Sequence, residues 1–136
     1  MNAAPYPIAL GLGCDRGTPL ETLETALPEA LAACGAQPAQ VAAVASIDLK
    51  ADEAGLLELA RRRGWTIRFY PAAALAPVAV PNPSETVRKY TGTPSVSEAA
   101  ALLAGGVGME NLLIEKHKHR GPDGRNATIS IARMTP

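Results

Sequence analysis

The sequence is poor in cysteine and lacks both an excess of basic residues and a long apolar run, and each of these features excludes a class of protein. It holds two cysteines, Cys14 and Cys34, which are too few for a disulfide framework. Its 13 lysines and arginines equal its 13 aspartates and glutamates, so it lacks the basic excess usual in nucleic-acid and membrane-surface binders. No apolar run is long enough to span a bilayer, and no cationic, apolar leader is present. We expect a cytoplasmic protein with no nucleic-acid or membrane partner.

Aromatic residues are also scarce, at 4%, whereas hydrophobic residues as a whole make up 47% of the sequence. That hydrophobic fraction is enough for a core, which must be built mainly from Leu, Val, Ile and Ala. At 136 residues the chain has the length of one domain, and we expect a single domain over residues 1–136.

The stretch around which the chain is organised runs from Ile8 to Pro19. An apolar strand passes into glycines, and then Thr18, Pro19 and Glu21 predict a helix start with a capping box. Free N–H groups at such a helix start favour binding of an anion. The guanidinium of Arg16 can add two parallel hydrogen bonds to a carboxylate or phosphate. The predicted binding residues here are Gly11, Gly13, Cys14, Arg16, Gly17 and Thr18. The alternative is that these glycines only make a tight turn.

This glycine loop does not match the better-known nucleotide motifs. It lacks the lysine and spacing of a Walker A loop. Its G-x-G-x-x-x-G spacing also departs from the dinucleotide-binding fingerprint. A phosphate- or nucleotide-binding regulatory domain is therefore the weakest of three functional hypotheses.

Strand and helix patterns alternate along the first half of the chain. Strands are predicted near Ile8–Gly13, Val41–Ile47 and Trp65–Tyr70, with helices from Thr18 and over Asp52–Arg63. Pro28 predicts a kink or a fresh start in the first helix. Short strand–helix–strand joints imply parallel pairing. Leu112–Arg120 and Asn126–Arg133 predict an antiparallel hairpin. The expected fold is α/β, three-layer α/β/α, with a mixed, mainly parallel sheet and this C-terminal hairpin.

A second glycine-containing loop precedes the helix that starts near residue 95. The proline-rich connection before it predicts one short helix, and Ser84–Lys89 predicts another. Ser95 and Glu98 form a second potential capping box. The predicted binding residues in this region are Thr91, Gly92, Ser95 and Val96.

Two groups of residues are candidates for catalysis. The segment Ser46-Ile-Asp48-Leu-Lys50 brings a hydroxyl, a carboxylate and an ammonium to a strand end. Asp48 is a candidate general base, although an ion pair with Lys50 that orients the loop is an equal alternative. Cys14 is a candidate nucleophile whose thiol pKa a helix terminus would lower, and a small buried residue is the alternative. Ser46, Asp48 and Lys50 are also predicted to bind ligand.

The closing strand is basic. Strand alternation predicts Ile114, Lys116, Lys118 and Arg120 on one face, and Leu113, Glu115, His117 and His119 on the other. Lys116, Lys118 and Arg120 are predicted to recognise an acidic ligand. The two histidines have no third ligand at a telling spacing, so we predict no metal and no cofactor.

Four blocks together resemble the CobE family, which is similar to the C-terminal domain of CbiG, from cobalamin biosynthesis. The blocks are residues 11–18, 45–57, 91–101 and the closing strand with its partner 127–132. The resemblance implies work on corrin-ring intermediates, which carry many acetate and propionate side chains. CbiG-type proteins open a lactone during ring contraction, but 136 residues do not include the other CbiG region.

Two hypotheses follow from the resemblance. The first is a protein that binds or carries a corrinoid intermediate, with other pathway enzymes as further partners. The second is a hydrolase or ring-contraction accessory enzyme that uses Asp48 or Cys14. The residues and the resemblance agree on a flat, polyanionic, apolar-centred ligand.

Overall fold

A computed structural model describes residues 6–81, 83 and 95–135. Within these residues, the strands are β1 (Ile8–Cys14), β2 (Val41–Ile47), β3 (Ile67–Tyr70), β4 (Leu112–Arg120) and β5 (Asn126–Arg133). The helices are α1 (Leu20–Ala33), α2 (Ala54–Arg63), α3 (Ala72–Leu75) and α4 (Val96–Gly105). None of these helices is both long and apolar enough to cross a membrane. The helix predicted over Ser84–Lys89 lies outside the described residues.

The strands form one mixed sheet in the order β3-β2-β1-β5-β4. β1 pairs with β2, and β2 with β3, in parallel, whereas β5 is antiparallel to both β1 and β4. The expected mixed α/β sheet with a C-terminal antiparallel hairpin is confirmed. Since β5 alone runs in the opposite direction, the ends of β1, β2 and β4 and the start of β5 share one edge of the sheet.

Helices cover both faces of the sheet. On one face, α1 and α2 pack leucines against alternate residues of the central strands, among them Leu10, Leu12 and Ile129. On the other face, α3 and α4 pack against a surface of small side chains that includes Ala9, Ala43 and Ala45. The abundance of alanine in the sequence therefore corresponds to a layer in which helix and sheet lie unusually close.

Gly11 shows how closely α4 approaches β1. A Cβ atom at Gly11 would lie 1.8 Å from the carbonyl oxygen of Ser97 and 2.7 Å from the backbone nitrogen of Ala101. No real side chain tolerates such distances, so the position accepts only glycine unless α4 moves. This contact fixes the start of α4 above the sheet edge.

Both predicted capping boxes are wrong. α1 begins at Leu20 with Pro19 at its N-cap position, and the Thr18 hydroxyl donates to the carbonyl oxygen of Asp15 across 2.7 Å. Ser95 does occupy the N-cap position of α4, but its side chain makes no capping hydrogen bond in the described part of the chain. α1 also continues through Pro28 as one helix, so the predicted fresh start is absent.

A bulge in β4 changes one predicted face assignment. Ile114 pairs with Ile131 and His117 with Ile129, so three steps on β4 match two on β5. Ile114 consequently packs in the core beneath α1, on the face of His117 rather than that of Lys118. The alternation prediction for Ile114 is therefore wrong.

Candidate functional site

A cavity of about 560 Å³ opens at the shared edge of the sheet, beside the start of α4. Eight of the residues predicted from sequence line it: Gly13, Cys14, Arg16, Lys50, Ser95, Val96, Lys116 and Lys118. Six further lining residues were missed: Asp15, Ile47, Leu49, Ser97, Asn126 and Thr128. The loops after β1 and β2, the start of α4 and the hairpin therefore meet at one hollow.

Other predicted binding residues lie away from this cavity. Gly11, Gly17, Thr18, Ser46, Asp48 and Arg120 are not among the residues that line it. Thr91 and Gly92 lie outside the described residues. Any contact of these residues with a ligand stays a prediction.

The start of α1, where an anionic ligand was expected, is occupied by the protein's own carboxylate. The backbone N–H of Gly17, a glycine with φ of +78°, donates to Oε1 of Glu53 across 3.0 Å. Glu53 is 3% exposed, at the N-cap position of α2. Gly55 allows this approach, because a Cβ there would lie 2.5 Å from the carbonyl oxygen of Thr18. The glycine loop binds an anion, but that anion is internal.

The same carboxylate faces two cations of the cavity wall. Oε2 of Glu53 lies 2.9 Å from Nη1 of Arg16 and 3.9 Å from Nζ of Lys50. Arg16 also donates to Asp52 across 2.8 Å and to the carbonyl oxygen of Leu49 across 3.0 Å. The hydrogen bond from Arg16 holds the pKa of the Asp52 carboxyl below its ordinary value. The positive charge on this wall is therefore largely balanced within the protein.

Asp15 joins the β1 loop to the start of β5. Its Oδ2 accepts hydrogen bonds from the backbone N–H and the side-chain amide of Asn126, at 2.7 and 3.1 Å. Asp15 sits between two predicted residues, Cys14 and Arg16, so its position was visible in the sequence. Its partner was not, since residues 111 positions apart meet only because β5 lies beside β1.

The environment of Cys14 opposes the activation that its position suggested. Burial raises the pKa of the Cys14 thiol to about 11, and nearby Lys50 offsets this only in part. A thiol with this pKa is almost entirely protonated at neutral pH, whereas the thiolate is the nucleophilic form. The expected lowering of the pKa is absent, and a catalytic role for Cys14 stays a prediction.

Ser46 and Asp48 also differ from the arrangement expected at the end of β2. The Ser46 hydroxyl is fully buried and donates to the carbonyl oxygen of Leu12 across 2.6 Å, which ties β2 to β1. Asp48 is exposed in a single 3-10 turn over Asp48–Lys50. Lys50 pairs with Glu53, as described above. A role for Asp48 as a general base stays a prediction.

The hairpin separates its lysines from its histidines. Lys116 and Lys118 face the cavity, and Nζ of Lys116 lies 3.9 Å from Oε1 of the fully buried Glu98. His117 and His119 face α1, where Nε2 of His117 lies 2.8 Å from Oε1 of Glu29. Among the described residues, no group of three or more His, Cys, Asp or Glu is arranged to hold a metal ion.

The cavity thus combines two kinds of surface. Arg16, Lys50, Lys116 and Lys118 place cationic groups around it, while Ile47, Leu49 and Val96 contribute apolar surface. Ligand sites are commonly concave and largely apolar, with a few polar groups that fix orientation. This arrangement suits a molecule with an apolar body and several acidic groups.

Comparison with known proteins points to one family. Residues 8–132 match the sequence profile of the family described as "Cobalamin synthesis G C-terminus". The chain is 39% identical over 128 residues to a cobalt-precorrin-5A hydrolase of Priestia megaterium, a match that covers 94% of this chain and 32% of that protein. It is 42% identical over 109 residues to the protein CobE of Sinorhizobium sp, covering 79% of this chain and 70% of that one. The chain therefore spans about a third of the length of the Priestia hydrolase.

A solved structure shares the fold. The crystal structure of CobE, described as a protein from the cobalamin (vitamin B12) biosynthetic pathway, superposes with a TM-score of 0.78 at 36% identity. That match covers 97% of this chain and 93% of the other.

Proposed function

The chain belongs to the cobalamin synthesis G C-terminus family, and from this membership we propose that it binds a corrin-ring intermediate of cobalamin biosynthesis in the cavity at the sheet edge. In this proposal it holds the intermediate, or passes it between enzymes of the pathway, and turnover is not required.

The observation that carries the proposal is the composition of the cavity wall. A corrin intermediate presents a flat, mostly apolar ring edged by acetate and propionate groups. Four cationic side chains surround the cavity, and apolar side chains lie between them. Charge-assisted hydrogen bonds to carboxylates are roughly twice as strong as those between neutral groups. The acidic arms would therefore meet Lys116 and Lys118 on the hairpin side, and on the loop side Arg16 and Lys50, which already face carboxylates of the protein.

Two observations favour binding over catalysis. Burial raises the pKa of the Cys14 thiol to about 11, so it is a poor nucleophile at neutral pH. Asp48 is exposed and does not line the cavity. Neither candidate has the environment expected of an activated catalytic group.

A spectral titration tests the proposal. We expect cobyrinic acid, a corrin with free acid arms, to change its visible absorption on binding and to release or absorb heat in calorimetry. The fully methylated ester of the same corrin is the control ligand, because it keeps the ring and lacks the charges, and it should bind more weakly. If cobyrinic acid gives neither a spectral change nor heat, the proposal is wrong.

The second candidate function is hydrolysis, and the name of the Priestia relative favours it. If this chain contributes the catalytic groups of a hydrolase, Asp48→Asn and Cys14→Ala should abolish formation of the hydrolysis product. Both variants should still bind cobyrinic acid. Cys34→Ala is the control for removal of a thiol, since Cys34 lies near the end of α1 and outside the cavity. Unchanged product formation in both variants would exclude these residues as the catalytic groups.

A further inference from the structure

The two helix starts near the cavity differ in what occupies them. At α1, the N–H of Gly17 is already bound to the carboxylate of Glu53. At α4, the first helical hydrogen bond runs from the N–H of Ala99 to the carbonyl oxygen of Ser95. The N–H groups of Val96 and Ser97 lie before that bond and therefore have no partner within the helix. Among the described residues, neither of them donates to a backbone carbonyl outside the helix.

The side chain of Ser95, at the same helix start, also lacks a hydrogen-bond partner among the described residues. Ser95 is 1% exposed and lines the cavity. Its hydroxyl oxygen has no hydrogen-bond partner within the described part of the chain. Buried hydroxyls are normally hydrogen-bonded, because leaving one unsatisfied costs free energy. A buried serine without a partner beside a cavity indicates that its partner is a ligand.

The start of α4 is held rigidly in this position. The backbone at Ser97 lies directly on Gly11, where a Cβ atom would be 1.8 Å from the Ser97 carbonyl oxygen. The Ser97 and Ser130 hydroxyls are hydrogen-bonded at 2.8 Å, which ties the helix to β5. The donors of this helix end are thus fixed before any ligand arrives, and such preorganisation lowers the entropic cost of binding.

Charge compensation also differs between the two sides. Arg16 faces two carboxylates, those of Asp52 and Glu53. On the hairpin side, Lys116 lies 3.9 Å from the carboxylate of Glu98, whereas Lys118 lines the cavity and forms no ion pair with a carboxylate of the described residues. A ligand carboxylate on this side would gain a counter-charge without displacing an internal partner.

We propose that the start of α4 is the subsite for one carboxylate of the ligand, which accepts hydrogen bonds from the Ser95 hydroxyl and the N–H groups of Val96 and Ser97, with Lys118 as its counter-charge. This inference rests on the proposed function, because it assigns one acid arm of the corrin to one place in the cavity. It makes the helix start, and not the arginine of the glycine loop, the position that orients the ring.

Three variants and two ligands test the assignment by absorption titration. Ser95→Ala should bind cobyrinic acid about tenfold more weakly than the wild type, and Lys118→Gln about fivefold more weakly. Arg62→Gln removes the same charge from the exposed face of α2 and should change nothing. For the methylated ester, whose carbonyl is a neutral and weaker acceptor, Ser95→Ala should lose much less affinity than it loses for the acid. In the free protein, Ser95→Ala should unfold at the same temperature as the wild type or higher, because no capping bond is lost.

Each result decides between the two claims. If the wild type binds the acid and Ser95→Ala binds it equally well, this subsite is wrong and the proposed function stands. If Ser95→Ala weakens acid and ester alike, or if it lowers the unfolding temperature of the free protein, the hydroxyl serves the fold and the assignment is overturned. If the wild type does not bind the acid at all, the proposed function and the subsite both fail.

Discussion

Gly17 and Glu53 are joined by a hydrogen bond of 3.0 Å from a backbone nitrogen to a carboxylate oxygen, although 36 positions separate them in the sequence. Glu53 thereby completes an anion site that the chain makes at the start of α1. Its second oxygen lies beside Arg16 and Lys50, so one buried carboxylate organises the loop and both cations. The loop of the cavity wall is therefore held by charge as well as by its glycines.

Replacement of Glu53 should destabilise the protein. Glu53→Gln keeps an acceptor for Gly17 but leaves the two nearby cations without their shared carboxylate. We expect a loss of about 1–3 kcal/mol in the free energy of unfolding, measured with urea. Glu58→Gln is the matched control, since its exposed pairs with Arg61 and Arg62 should contribute little to stability. Equal losses in the two variants would contradict this account.

Two glycines of β1 should respond very differently to alanine. At Gly11 the added Cβ meets backbone atoms of α4 at 1.8 and 2.7 Å, so we expect a loss of about 3 kcal/mol or more. At Gly13 the nearest atom is Cβ of Thr128 at 3.8 Å, an ordinary contact, and stability should change by about 0.5 kcal/mol or less. Urea unfolding of both variants measures the difference. A Gly11→Ala protein as stable as Gly13→Ala would show that α4 is not in contact with the strand.

The Cys14 thiol should be unreactive at neutral pH. With its pKa raised by burial to about 11, only about 0.1% is thiolate at pH 8. In a Cys34→Ser background, alkylation by iodoacetamide should be far slower in the folded than in the unfolded protein. Its rate should rise about tenfold per pH unit until the pH approaches 11, as followed by mass spectrometry. Faster labelling of the folded than of the unfolded chain near pH 7 would instead identify an activated nucleophile.

That raised pKa also sets the direction of one pH effect on stability. The folded state keeps the Cys14 proton to a higher pH than the unfolded state, whose thiol ionises near its ordinary pKa of 9.0. The contribution of this thiol is therefore fully present below pH 9 and is lost as the pH rises towards 11. The unfolding temperature should fall more steeply across this interval in the wild type than in Cys14→Ala.

Substitutions on the two faces of the hairpin should differ in their effects on the affinity for cobyrinic acid. Glu29 pairs with His117 on the face beneath α1, with side chains 45% and 26% exposed. Glu29→Gln should therefore cost less than about 1 kcal/mol of stability and leave the affinity for cobyrinic acid unchanged. Lys116→Gln, on the cavity face, should lower that affinity severalfold. If the Glu29 variant binds the corrin more weakly, the histidine face takes part in the site.

The sequence predicted the elements and the edge of the sheet because those signals are local. Apolar runs, glycines and prolines located β1, β2 and the hairpin, and the carboxyl ends of the strands indicated where polar groups would gather. Arg16 and Lys50 were found by that argument, and Lys118 was found from the basic pattern of the closing strand. The family resemblance, now confirmed by the match over residues 8–132, supplied the class of the proposed ligand, which local patterns do not specify.

The failures arose where a distant partner replaced a local one. Thr18 was expected to cap α1, but its hydroxyl bonds to Asp15, which Asn126 of β5 holds in place. Glu53 was not selected, because nothing in its own segment shows that the start of α2 lies against the start of α1. The bulge that turned Ile114 towards the core depends on the pairing register, which alternation alone does not reveal.

Because β5 lies between β1 and β4, the cavity is complete only after the last strand of the chain has been synthesised. β5 contributes Asn126 and Thr128 to the cavity, and it carries β4 with its lysines into the sheet. A nascent polypeptide whose synthesis has not passed this strand holds the glycine loop but no hollow beside it. The cavity therefore forms only in molecules whose C-terminal hairpin has joined the sheet.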